Sequence, residues 1–317
     1  MTLDILLLLF GLFILIYGAD IMVKGASALA ARLNVPNMVI GLTIVAIGTS
    51  APELVINVIS SARGESSLAL GNVLGSNIFN IMGVLGITAI IFPIAINSNT
   101  TRIEIPFVFL SAVLVLIMFG NNYWGTPQNF EISRVDGVVL LVFLALFFVY
   151  ITRLAMKGGS EEITIKNYTL LHSIAFVVIG LAGLMLGGRL LVTGAVSIAE
   201  SLGVSQRIIA ITIVSVGTSL PELATSVAAA RRKNVDMAVG NIVGSNLFNV
   251  FFVLGISAVI NPIVTTWESI ADISVNILAS LLLFLFIFTG KGRRIERCEG
   301  ILLVSLYIAY LIYLILG

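Results

Sequence analysis

The 317-residue chain is predicted to be an all-α integral membrane protein, with ten transmembrane helices arranged as two inverted five-helix repeats. Three observations predict this. The first is composition. Hydrophobic residues make up 59% and Asp, Glu, Lys and Arg only 10%, whereas a soluble domain carries about 25% charged residues. The second is segmentation into solidly apolar stretches. A membrane helix needs about 20 such residues, and the absence of apolar–polar alternation argues against a barrel. The third is an internal repeat at a spacing of 169 residues. Gly48-Thr49-Ser50-Ala51-Pro52-Glu53 returns as Gly217-Thr218-Ser219-Leu220-Pro221-Glu222. Gly71 to Asn80 (GNVLGSNIFN) returns as Gly240 to Asn249 (GNIVGSNLFN).

The expected spans are 3–30, 36–62, 67–93, 104–120 and 134–152, then 172–200, 205–230, 236–262, 270–289 and 298–316. The first has no basic residues before it and has a counterpart at 172–200, so it reads as a structural helix and not a cleaved leader. The second and seventh contain Pro52 and Pro221. Proline lacks an N–H, and its ring clashes with the carbonyl four residues earlier, so both spans should break near Gly48-Thr49-Ser50 and Gly217-Thr218-Ser219. The third and eighth carry Gly71/Gly75 and Gly240/Gly244, Gly-x-x-x-Gly patterns that favour close helix approach. The polar stretch 153–171 links a first repeat, 1–152, to a second, 172–317.

With the N-terminus outside, the inner connections carry 12 of the 17 Lys and Arg, and the outer ones only Arg63, Arg134 and Arg207. The positive-inside rule therefore places both termini outside. Five spans per repeat make the second copy enter from the opposite side, the plan of secondary transporters with a midplane site. The net charge of +1 singles out no partner beyond the lipid bilayer, and no nucleic-acid signature is present. Cys298 alone cannot form an internal disulfide, and His172 reads as an interfacial histidine at the start of a helix. Asp20 and Lys24, spaced i,i+4, read as an intrahelical ion pair; Phe79 and Phe248 read as packing residues.

Glu53 and Glu222 are the chemical centre. A carboxylate within an apolar span is costly and marks function. Counting about 1.5 Å per residue from the span centres puts Glu53, Asn80, Glu222 and Asn249 near the midplane. Ser76 and Ser245 lie one turn before the two Asn residues, on the same faces. Carboxylates, hydroxyls, amide oxygens and freed carbonyls suit hard cations such as Ca²⁺ and also Na⁺, and with no Cys or His nearby the set does not suit Zn²⁺ or Cu⁺.

These repeated Gly-Thr-Ser-x-Pro-Glu and Gly-Ser-Asn-x-Phe-Asn segments resemble the α-repeats of the cation/Ca²⁺ exchanger superfamily, and most nearly those of prokaryotic Na⁺/Ca²⁺ exchangers. The resemblance implies that Glu53 and Glu222 are acidic ligands shared by Ca²⁺ and Na⁺, with Thr49, Ser50, Thr218 and Ser219 beside them. It assigns Ser76 and Ser245 to outlying Na⁺ sites, Ala46 and Ser215 to carbonyls offered to Na⁺, and Asn80 and Asn249 to the centre. Some relatives, including K⁺-dependent ones, have Asp at one of these last positions, so two Asn residues put K⁺ co-transport in doubt. The implied function is Na⁺/Ca²⁺ antiport at the plasma membrane by alternating access, with the first and sixth spans as the moving pair. No bond is broken, so no catalytic residue or cofactor is expected, and a monomer suffices. A Ca²⁺/H⁺ antiporter of the same fold and a passive cation channel are the alternatives.

Overall fold

A computed structural model describes residues 2–95, 103–120, 130–156, 168–204, 209, 212–213, 215–265, 269–289 and 294–316. Its helices are α1 (Thr2–Leu33), α2 (Asn37–Thr49), α3 (Ala51–Ala62), α4 (Ser66–Ile91), α5 (Glu104–Gly120) and α6 (Arg134–Ala155) in the first half. In the second half they are α7 (Leu170–Ser201), α8 (Ser215–Thr218), α9 (Leu220–Arg231), α10 (Val235–Ile260), α11 (Ser269–Thr289) and α12 (Arg297–Leu316). Among the described residues, seven helices are each long and apolar enough to cross a membrane, and the bent pair α2–α3 makes an eighth. The other two expected spans fall on α5, which is apolar but shorter, and on α8–α9, preceded by residues only partly described.

Burial separates an inner set from an outer one. The most apolar windows of α4 and α10 are 78% and 83% buried, against 17–28% for the other single spans. Around these two helices pack the broken pairs, α2–α3 and α8–α9. The break falls where proline predicts. Ser50 has φ −82° and ψ 9°, Pro52 occupies the first turn of α3, where no N–H is needed, and α2 and α3 diverge by 48°. Ser219 (φ −94°, ψ 9°) and Pro221 repeat the arrangement.

Two features differ from the all-α expectation. Short antiparallel ribbons join the halves: β1 (Ile94–Ala95) pairs with β4 (Arg294–Ile295), and β2 (Phe130–Ile132) with β3 (Ile263–Thr265). They satisfy backbone groups where α4 and α10 end and where α12 and α6 begin. The inner helices also contain π-helical turns, at Gly41–Val45 in α2, Phe79–Leu85 in α4 and Asn249–Leu254 in α10. Such turns shift the backbone register and recur at functional sites.

The long helices α1 and α7 form a separate antiparallel pair with its own apolar cluster, rich in alanine. Glycines set their approach. Gly11, Gly18 and Gly25 on α1, and Gly180, Gly187 and Gly194 on α7, recur every seven residues, the period of a left-handed helix seam. A Cβ at Gly11 would lie 2.5 Å from the Leu191 nitrogen, and one at Gly187 2.5 Å from the Leu15 nitrogen, so backbone meets backbone. The Gly-x-x-x-Gly expectation holds for α10, where Gly240 and Gly244 press on α2, but a Cβ at Gly71 would meet nothing within 4 Å. Gly187→Ala should destabilise the protein by about 1–3 kcal/mol through overpacking. The adjacent Gly188→Ala, whose Cβ would meet only Leu15 at 3.9 Å, should leave it nearly unchanged. Thermal unfolding in detergent distinguishes the two.

Candidate functional site

The helix breaks bring the predicted carboxylates together. Glu53 and Glu222 sit in the first turns of α3 and α9, both fully buried. A serine at a helix start ordinarily caps a backbone N–H of its own helix. Neither Ser50 nor Ser219 does so. Each reaches across to the other repeat: Ser50 Oγ donates to Glu222 Oε1 at 3.0 Å, and Ser219 Oγ donates to Glu53 Oε1 at 3.1 Å. These crossed bonds clamp the two breaks against each other.

The remaining predicted residues gather around this clamp. Ser76 Oγ donates to Glu53 Oε1 at 3.4 Å. Ser245 holds the equivalent place on α10, fully buried and beside the Glu222 carboxylate. Thr49 Oγ1 lies 3.1 Å from the Val45 carbonyl and 3.3 Å from that of Ala46, which also accepts the Ser50 N–H at 3.0 Å. Thr218 lies beside the Glu53 carboxylate. Ser215 begins α8; its side chain lies outside the described residues. Asn80 and Asn249 lie in the π-helical turns of α4 and α10. The Asn80 turn packs on α9, which carries Glu222, and the Asn249 turn packs on α3, which carries Glu53.

Two asparagine pairs to which sequence reasoning gave no role hold the frame. Asn241 Nδ2 donates to the Glu222 carbonyl at 3.2 Å and to Ser226 Oγ at 2.9 Å, while its Oδ1 accepts from Thr49 Oγ1 at 3.1 Å. Its counterpart Asn72 donates to the Glu53 carbonyl at 3.4 Å and to Asn57 Oδ1 at 2.5 Å. Asn77 Nδ2 donates to the Asn246 carbonyl at 3.3 Å and its Oδ1 accepts from Asn249 Nδ2 at 3.1 Å, joining α4 to α10. The signal was present, since all four asparagines are identical between the repeats.

Six buried polar atoms of the predicted set have no close hydrogen-bond partner among the described residues: Glu53 Oε2, Glu222 Oε2, both amide atoms of Asn80, Asn249 Oδ1 and Ser245 Oγ. Each such atom costs about 1–3 kcal/mol, a sum comparable with the 5–15 kcal/mol net stability of a typical domain. Five of the six are oxygens, which a bound cation would satisfy. Among the described residues no three His, Cys, Asp or Glu side chains cluster.

The sodium/calcium exchanger protein family model matches residues 3–153 and 172–316. The chain belongs to that family. It is 32% identical over 350 residues to the sodium/calcium exchanger MaX1 of Methanosarcina acetivorans, covering 99% of both chains. It is 34% identical over 322 residues to the inner membrane protein YrbG of Escherichia coli K12, covering 98% of this chain and 96% of that one. Among solved structures, the sodium-calcium exchanger NCX_Mj soaked with zero Na⁺ and Ca²⁺ superposes with a TM-score of 0.82 at 35% identity, over 99% of each chain. The same exchanger soaked with 10 mM Na⁺ and zero Ca²⁺ gives 0.81 over 97% of each.

Asn241→Ala should raise the half-saturating Ca²⁺ concentration of this exchanger roughly ten- to a hundred-fold, because it removes the bonds that tie Thr49, the Glu222 carbonyl and Ser226 to α10. Ion uptake into proteoliposomes checks this; wild-type affinity would show that the asparagine frame does not position the carboxylates.

Proposed function

We propose that the protein is a secondary antiporter exchanging Na⁺ for Ca²⁺ by alternating access at a single site shared by both ions. The observation that carries this reading is the crossed Ser50–Glu222 and Ser219–Glu53 pair, which joins two carboxylates from two repeats at two helix breaks. Glu53 and Glu222 are the acidic ligands. Thr49, Ser50, Thr218, Ser219, Ser76, Ser245, Asn80 and Asn249, with the carbonyls of Ala46 and Ser215, supply neutral oxygens. Two carboxylates balance one Ca²⁺ or two Na⁺, so the ions compete for the same charge. Asn80 and Asn249 add no third carboxylate to hold K⁺.

The chain crosses the bilayer ten times, as inverted repeats 1–152 and 172–317 joined by the linker 153–171. Paired inter-helix contacts support this plan: α12 against α4 is matched by α6 against α10, and α3 against α10 by α9 against α4. The α1–α7 pair is the moving element, and its glycine and alanine seam is shallow enough for sliding. Family membership and relatives named for sodium and calcium exchange favour Na⁺ over H⁺ as the coupling ion. Transport is the whole activity, and no resident cofactor or catalytic residue takes part. The protein acts in the plasma membrane with both termini outside, and one chain suffices for transport.

Glu53→Gln and Glu222→Gln should each abolish Na⁺-driven Ca²⁺ uptake into K⁺-free proteoliposomes while the protein still inserts. One remaining carboxylate then faces a divalent ion in a low-dielectric site, where each charge counts heavily. Normal exchange by either variant would remove the proposed site. In intact cells, the exposed Cys298 thiol should resist an impermeant maleimide added outside and react once the membrane is permeabilised. Labelling of intact cells would reverse the orientation.

A further inference from the structure

A crevice of about 310 Å³ runs along α7 to the broken helices, and its walls include Pro52, Gly217, Thr218 and Pro221 from the site region. It lies on the half of the molecule where α3 ends and α8 begins. The α7 wall contributes Arg189 and Thr193, and Arg189 is the only charged residue lining the crevice among the described residues. Arginine stays charged at any physiological pH. Arg189 lies well inside a 32-residue apolar helix, yet its side chain is exposed and has no ion-pair partner among the described residues. A charge at such a position is tolerated where it faces water, and the crevice is the opening that Arg189 lines.

The repeat sharpens the point. Arg189 and Thr193 occupy the positions of Asp20 and Lys24 in the first repeat, 169 residues earlier. There the acid is engaged: Asp20 pairs with Lys24 at 2.7 Å and with Arg232 Nε at 2.8 Å, tying α1 to the end of α9. The residue corresponding to Arg232 is Arg63, so the positions that match the Asp20–Arg232 pair carry two like charges, Arg189 and Arg63. The two faces of the molecule therefore differ in charge where their backbones correspond.

We propose that Arg189 is a selectivity residue of the external access crevice, which disfavours Ca²⁺ relative to Na⁺ on the side where Ca²⁺ is released. This rests on the antiporter reading above. A fixed positive charge lowers the local concentration of a cation by a factor that grows exponentially with the cation's charge. The factor for Ca²⁺ is thus about the square of the factor for each Na⁺. Arg189 thereby limits rebinding of released Ca²⁺ more than it limits capture of Na⁺.

The test is exchange by the full chain in proteoliposomes, with ion concentrations varied separately on each side. Arg189→Gln should lower the external half-saturating Ca²⁺ concentration roughly three- to ten-fold, and the external Na⁺ value by about the square root of that factor. The internal values should not move. Arg189→Lys should behave as wild type, Arg189→Glu should shift further than Gln, and about 0.5 M choline chloride should shrink the differences by screening. Equal factors for the two ions, a shift reproduced by Arg189→Lys, or no shift with exchange intact would overturn the proposal. Should Arg189→Gln fail to insert, Arg189→Cys in a Cys298→Ser background replaces it. A cationic thiol reagent should then restore wild-type half-saturation and an anionic one should lower that for Ca²⁺; identical effects of the two reagents would overturn it. Failure of the antiporter reading would show separately, as wild-type protein without Na⁺-dependent Ca²⁺ uptake.

Discussion

Two carboxylates buried together in a membrane interior are the constraint on which the rest of this structure depends. Alone, each would be too costly to keep charged away from water. The protein answers by breaking two helices at the same depth and making each break serve the other. Ser50 and Ser219 forgo capping their own helices and donate to the carboxylate of the opposite repeat. One oxygen of each carboxylate is thereby satisfied and the other is left without a protein partner.

The surrounding helices follow from that requirement. Breaking a helix at membrane depth is tolerable only where other protein covers the freed backbone, and α4 and α10, which cover it, are the most buried of the single spans. Their asparagines bond the backbone of Glu53 and Glu222 and each other, so the site is fixed through main chain as well as side chain. The outer helices face lipid with large apolar residues, such as Phe10 and Phe13 on α1. The α1–α7 pair stands apart from the main core and meets it largely through small side chains such as Ala26, Ala229 and Ala230. On the proposed reading, the main core would hold the oxygens and the α1–α7 pair would change which side is open.

Much of this was legible from residues alone because the repeat supplies an internal comparison. Pro52 and Pro221 marked the breaks, and identical glutamates in both copies marked the centre. The asparagines at 72, 77, 241 and 246 carried the same signal. They escaped assignment because their partners are backbone carbonyls and distant side chains, which spacing does not reveal. The π-helical turns were hidden for a similar reason, since a shift in hydrogen-bond register leaves the apolar pattern intact. The ribbons at Ile94 and Ile132 are too short for alternation to register. Gly71 shows the limit of symmetry reasoning: its motif matches that of Gly240, yet the two glycines meet different surroundings.

The central claim is that one site holds Ca²⁺ or Na⁺ but never both in full. Equilibrium binding of radioactive Ca²⁺ to the purified protein, titrated with Na⁺ at constant ionic strength, tests it most directly. Na⁺ should displace all bound Ca²⁺, with a dependence steeper than first order, because more than one Na⁺ is needed to balance two carboxylates; K⁺ at the same concentration should not. Ca²⁺ that stays bound at saturating Na⁺ would contradict a shared site.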